Sequence, residues 1–132
     1  MKVKTAFIFA HILCLVFGLL CGGLTRLSAS FFGIELSENG IFMTRIFGAA
    51  LLGFSAIFLY ARNEPHSPAR QSIIIGETMH STIAAILWID ALIRGIGNML
   101  IIIPLLSHLI LAIWFGYFAI KCGIKPVSFT KS

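Results

Sequence analysis

Glu77 and His80 stand three residues apart in an otherwise apolar run, a spacing that places both on one face of a helix. A carboxyl and an imidazole so placed can relay a proton, and an imidazole can ligate a metal or a haem iron. Two further histidines lie in apolar runs elsewhere, His11 near the start of the chain and His108 near its end. By helix rise, His11, Glu77 and His80 lie roughly 7–12 Å from one set of helix ends, with His108 nearer mid-height. The four residues therefore form a candidate intramembrane polar cluster carried on three helices.

Three chemistries suit such a cluster. A haem or metal could be held by imidazoles. Glu77 and His80 could move protons, as in a small proton-coupled transporter acting as an oligomer. Or the polar groups could do no more than tie helices together, at about 0.6 kcal/mol per interhelical hydrogen bond. The Glu-x-x-His step is also used in di-iron bundles, but those need two such steps and two further glutamates, and this chain has one step. No metal ligand set is assigned, and no cofactor. Haem stays an alternative, with nothing to fix which two histidines would hold it.

A second polar set, Arg45, Asp90 and Arg94, sits near the opposite helix ends. Asp90 and Arg94 are an i,i+4 pair, and Arg45 lies at matching depth on another helix. The expectation is an outer-side charge clamp, with an anion or lipid-headgroup site as the alternative. Catalytic residues are not assigned. The chain has no nucleophile elbow and no phosphate-binding Gly-rich loop. Cys14 and Cys21 are two helical turns, roughly 10 Å, apart, beyond disulfide reach. Cys122 is alone, and no Cys-x-x-Cys pair occurs. All three read as small apolar packing residues.

These side chains must be positioned by helices. Of 132 residues, 58% are hydrophobic and 11% charged, against about 25% charged in soluble domains. So little charge cannot cover a water-facing surface. Apolar runs at about 6–24, 41–60, 73–93 and 99–120 each have roughly the 20 residues that cross a bilayer as helix. The expected fold is all-α: an integral membrane four-helix bundle in a single domain, residues 1–132. The net charge is +5, but no basic stripe with interleaved aromatics occurs, which excludes nucleic acid as a partner.

The bases instead give orientation. With the N-terminus inside, Lys2, Lys4, Arg62, Arg70, Lys121, Lys125 and Lys131 are cytoplasmic, and Arg26, Arg45 and Arg94 lie outside. That positive-inside bias puts both termini in the cytoplasm of a multi-pass protein of the cell (inner) membrane. Lys2 and Lys4 before an apolar run resemble a signal peptide, but the run is too long and no Ala-x-Ala site follows, so the first helix is expected to be retained.

The connections differ in character. Residues 25–40 are apolar enough, with Leu27, Phe31, Phe32, Ile34 and Leu36, to lie at the membrane interface. Ser67 and Pro68 form a cap and first turn, so the third helix starts ahead of its apolar run. Gly95 and Gly97 make a tight turn, which pairs helices three and four as a hairpin. For packing, close approach at small residues is expected at Gly18 and Gly22, at Ala49 and Gly53, and at Ala112 and Gly116. Whether these serve internal packing or self-association is open. Pro104 should kink the fourth helix and free a carbonyl near Leu100.

The stretch Arg45-Ile46-Phe47-Gly48-Ala49-Ala50-Leu51-Leu52-Gly53-Phe54, ending in Tyr60-Ala61-Arg62 and preceded by Phe32-Gly33-Ile34-Glu35-Leu36-Ser37, resembles the small four-helix bacterial membrane proteins that include the DoxX-like group. The resemblance implies a four-helix membrane bundle and, for some members, association with quinone-linked redox complexes. No family redox residue matches a position here. The expected function is a non-catalytic bundle or an accessory subunit of a membrane complex, with the lipid bilayer, a second copy or a larger assembly as partner. The alternatives are a haem- or quinone-linked redox subunit and a small proton-coupled transporter.

Overall fold

The computed structural model describes residues 2–121, so Cys122, Lys125 and Lys131 lie outside the described residues. The described chain is helical throughout, with no strand: α1 Val3–Gly23, α2 Thr25–Phe31, α3 Glu38–Ala61, α4 Pro68–Ile93, a 3₁₀ turn Met99–Ile101, and α5 Ile102–Lys121. Four segments are long and apolar enough to cross a membrane: Val3–Gly23, Glu38–Ala61, Pro68–Ile93 and Met99–Lys121.

The helix starts follow from short polar side chains. Ser37 precedes α3, and its Oγ accepts from the Gly40 amide at 3.2 Å. Glu38 in that first turn suits the positive end of the helix dipole. Ser67 caps α4 by accepting from the Arg70 amide at 3.2 Å. Pro68, which has no N–H to lose, occupies the first turn.

The helices assemble as two pairs. α1 packs along α3, and α4 packs along α5 as the short turn between them requires. The pairs meet mainly where α1 touches α5; α3 and α4 form no comparable seam. The core gathers at the end where α1 begins and α5 ends. There Phe7 meets Phe115 edge-on at 5.3 Å, and Phe58 stands 6.2 Å from Phe7 and 6.1 Å from Phe115. Ala6, Ala10 and Ala61 are buried beside these rings and leave the room that they fill.

The small-residue pairs divide. Gly18 and Gly22 face α3. A Cβ on Gly18 would fall 2.9 Å from the Leu52 side chain, and Gly22 lies against the Gly48 backbone. Gly116 sits by Thr78 of α4, and Ala112 is half-buried. Ala49 and Gly53 do not join this packing: both are exposed, and a Cβ on Gly53 would meet nothing within 4 Å. The close approach on α3 falls to Gly48, one residue earlier, because α3 is rotated so that Gly48, Leu51, Ser55 and Phe58 face inward.

One further expectation changes. Pro104 does not kink a long helix. It stands in the first turn of α5, after the 3₁₀ turn, where its missing N–H is one of the unpaired helix-start donors. The connection after α1 contains a short helix, α2, whose Thr25 and Ser28 are buried. Thr25 Oγ1 donates to the Cys21 carbonyl at 2.5 Å, carrying the chain from α1 into α2 with little break.

Candidate functional site

Between the two helix pairs lies a cavity of about 530 Å³, within the range of small-molecule sites. α4 supplies one wall through Glu77, His80, Ala84, Trp88 and Ala91, which recur at three- and four-residue steps and so share a face. α1 contributes Cys14, Phe17 and Cys21, α3 contributes Thr44, Phe47 and Leu51, and α5 contributes Pro104, Ser107 and His108. Ser28, Ala29, Phe32, Ile34 and Leu36 close one end. The walls are apolar, and the titratable groups gather at the other end.

At that polar end Glu77 is buried. Its Oε1 accepts from Ser81 Oγ at 2.6 Å, and Cys14 lies within electrostatic reach. The His80 and His108 rings approach to 5.7 Å between centroids, and Phe54 of α3 stands 6.1 Å from His80. His108 Nδ1 lies 2.7 Å from the Pro104 carbonyl. A carbonyl only accepts, so Nδ1 carries a proton and Nε2 presents its lone pair.

The expected four-residue cluster is thus three residues and a separate one. Glu77, His80 and His108 line one cavity. His11 is turned toward α3 instead, with Nδ1 3.0 Å from the Ser55 carbonyl and 2.8 Å from Ser55 Oγ. Its role is to tie α1 to α3. Among the described residues, no group of three or more His, Cys, Asp and Glu is arranged to hold a metal ion.

The expected outer clamp also divides. Asp90 and Arg94 form an ion pair at 3.0 Å. Arg45 is exposed and joins no ion pair among the described residues. It rides on α3, which forms no extended seam with α4, so matching depth does not bring it to Asp90. A different pair, Arg26 with Glu38 at 2.5 Å, links α2 to α3 at the surface, where such pairs contribute about 0–1 kcal/mol.

The cover of the cavity is held by a residue that sequence patterns did not single out. Asn98 donates through Nδ2 to the Phe31 carbonyl at 3.0 Å and through its backbone N–H to the Phe32 carbonyl at 2.8 Å. Its Oδ1 accepts from the Leu100 amide at 2.9 Å, capping the 3₁₀ turn. The approach depends on Gly33 and Gly97, with φ of 68° and 76°, a backbone region costly for residues with a Cβ. A Cβ on Gly97 would press on the Phe32 carbonyl at 2.6 Å. The legible signal was only Gly-x-Gly-Asn as a turn; its partner lies 67 residues away.

Comparison of the chain with protein-family models, with curated proteins and with solved structures finds no match.

Proposed function

We propose that the chain is a multi-pass protein of the cell's inner membrane, with both termini cytoplasmic, and that it binds a lipophilic small molecule between its helix pairs. The binding is non-catalytic: it fits a carrier, a sensor or an accessory subunit of a membrane complex. The observation that carries this reading is the cavity itself, apolar along its walls and provided with Glu77, His80 and His108 at one end. An apolar body with one hydrogen-bonding head matches that division.

Membrane placement is supported by the four long apolar helices and by large apolar side chains exposed along them, such as Ile12, Leu19, Ile86, Leu106 and Ile113. In lipid these cost nothing, whereas in water they would form an apolar surface far beyond what a soluble monomer carries. Orientation rests on the excess of Lys and Arg at the end holding Lys2, Lys4, Arg62, Arg70 and Lys121. The likeness of the 45–62 stretch to DoxX-like proteins agrees with this placement and adds no site residue.

The chain has two tryptophans, so a Trp114→Phe variant leaves Trp88, on the cavity wall, as the sole reporter. The test is quenching of Trp88 fluorescence in lipid nanodiscs by a terminally brominated long-chain alcohol. Saturable quenching that disappears in Ala84→Phe, which fills the cavity, is expected. Quenching that rises linearly without saturation, unchanged by Ala84→Phe, overturns the reading. An absorption band near the Soret region that shifts on reduction of the purified protein would replace it with a haem-bearing one.

A further inference from the structure

The polar end of the cavity is poor in free hydrogen-bond donors. Ser107 Oγ, next to His108 in the chain, gives its proton to the Ile103 carbonyl at 2.9 Å. Ser81 donates to Glu77, and the Nδ1 proton of His108 goes to the Pro104 carbonyl. What the residues lining that end have left is mainly lone pairs: the hydroxyl oxygen of Ser107, His108 Nε2 and the second oxygen of Glu77. The donors left at this end are a ring N–H of His80 and the weak S–H of Cys14. The indole N–H of Trp88 belongs to the other end, roughly 16 Å further along α4.

Among the described residues Glu77 lacks a counter-charge as well. The ion pairs among the described residues are Arg26 with Glu38 and Arg94 with Asp90, and neither reaches it. A buried carboxylate is retained at low cost only beside a cation or a set of donors, and the described residues supply a single hydroxyl.

The cavity is also open on one side. Among its lining residues Phe47 is 49% exposed, Ile83 55% and Leu87 63%. All three come from α3 and α4, the two long helices that neighbour each other without a packed seam. The opening therefore faces the flank of the bundle, where lipid chains would lie, while the end near Phe32 is covered.

We propose that the cavity takes a lipophilic amine, with its ammonium on Glu77 and its hydrocarbon chain leaving between α3 and α4. This rests on the ligand-binding reading above and narrows it. The ammonium supplies both what Glu77 lacks, a positive charge, and what the site lacks, donors for the lone pairs of Glu77 and His108. A neutral carbonyl head would bring only further lone pairs. The chain passes through the α3–α4 opening, so a ligand longer than the cavity is accommodated and is drawn from the bilayer.

The test compares two probes of equal chain length, a terminally brominated long-chain primary amine and the matching alcohol. Trp114→Phe protein is held in nanodiscs of net-neutral phosphatidylcholine, so that surface charge does not concentrate the amine. Both should quench Trp88 saturably, with the amine binding about tenfold more tightly, a ratio worth ~1.4 kcal/mol. Glu77→Gln should bring the two affinities together while the alcohol still binds. If amine and alcohol bind equally well to the protein with Glu77 intact, the amine assignment is wrong and the ligand-binding reading survives. If neither probe saturates, the ligand-binding reading itself fails. The comparison of the two probes needs no Glu77 variant, so it decides even where Glu77→Gln does not fold.

Discussion

Gly48 of α3 lies backbone to backbone on Gly22 of α1, so close that a Cβ on Gly48 would stand 2.8 Å from the Gly22 Cα and 2.9 Å from the Cys21 carbonyl carbon. Neither neighbour is a flexible side-chain end that could swing away. Gly48→Ala must push α1 off α3 and should destabilise by about 1–3 kcal/mol, the range for overpacking a tight interior. Gly22→Ala meets only contacts at 3.9–4.0 Å, and Gly53→Ala meets none, so both should stay within about 0.5 kcal/mol of the parent. Unfolding titrations in mixed micelles give all three values. Equal losses at Gly48 and Gly53 would mean that α3 presents its other face to α1.

Asn98 holds the cover through one side-chain and one backbone donor. Asn98→Ala removes the Phe31 bond and the cap on Leu100, and a cap alone contributes about 0.5–2 kcal/mol. Asn98→Asp keeps the acceptor and loses the donor, so its effect should be the smaller. Hydrogen exchange should rise in residues 25–37 in both variants and stay unchanged in α4 on the side of Glu77. Unchanged exchange in the cover would show that its own packing holds it.

His11 and His108 should respond differently to removal. His11→Ala breaks the tie to Ser55 and should lower stability by about 0.6 kcal/mol while Trp88 quenching by a brominated ligand persists. His108→Ala removes a lone pair from the polar end of the cavity and should weaken quenching with a similar small change in stability. If His11→Ala abolishes quenching, His11 reaches the cavity after all.

Glu77→Gln preserves an acceptor for Ser81 Oγ and removes the need to bury a charge without a counter-ion. Without ligand the variant should therefore unfold at the same temperature as the parent or higher. A loss of several kcal/mol would show that Glu77 is ion-paired in the working protein with a group outside residues 2–121.

Orientation is checked by single cysteines in a background with Cys14, Cys21 and Cys122 replaced by serine. Glu35→Cys, in the segment between α2 and α3, should react in intact cells with a membrane-impermeant maleimide. Glu64→Cys, between α3 and α4, should react only after lysis. The reverse pattern would invert the bundle.

The long helices were legible because a run of apolar residues reports its own length. Ser67 and Pro68 mark the start of α4 in the sequence just as they do in the fold. The face Glu77, His80, Ala84, Trp88 and Ala91 was legible too, since helical spacing alone puts those residues together. What lay beyond reading was which neighbour each face meets. Ala49-x-x-x-Gly53 and Gly48 are equally small, and only the rotation of α3 decides between them. His11 could point at α3 or at the cavity with no change in its spacing, and Ser55 decided it. Arg45 and Asp90 share a depth, but depth says nothing of distance around the bundle. Pro104 reads as a kink or as a helix start depending on whether Met99–Ile101 is α-helical, and Asn98 makes it a 3₁₀ turn.

The bond from Asn98 to Phe31 joins positions 67 apart, and this bears on how the molecule is made. As the chain leaves the ribosome, α1, α2 and α3 emerge before the residue that fastens α2 exists. The first helix pair must find its Gly22–Gly48 contact with the cover loose. The fastening arrives with the turn before α5, so the closing of the site is tied to completion of the second hairpin. A nascent chain stalled after α4 would hold the parts of the cavity wall from α1, α3 and α4 and be unable to shut it.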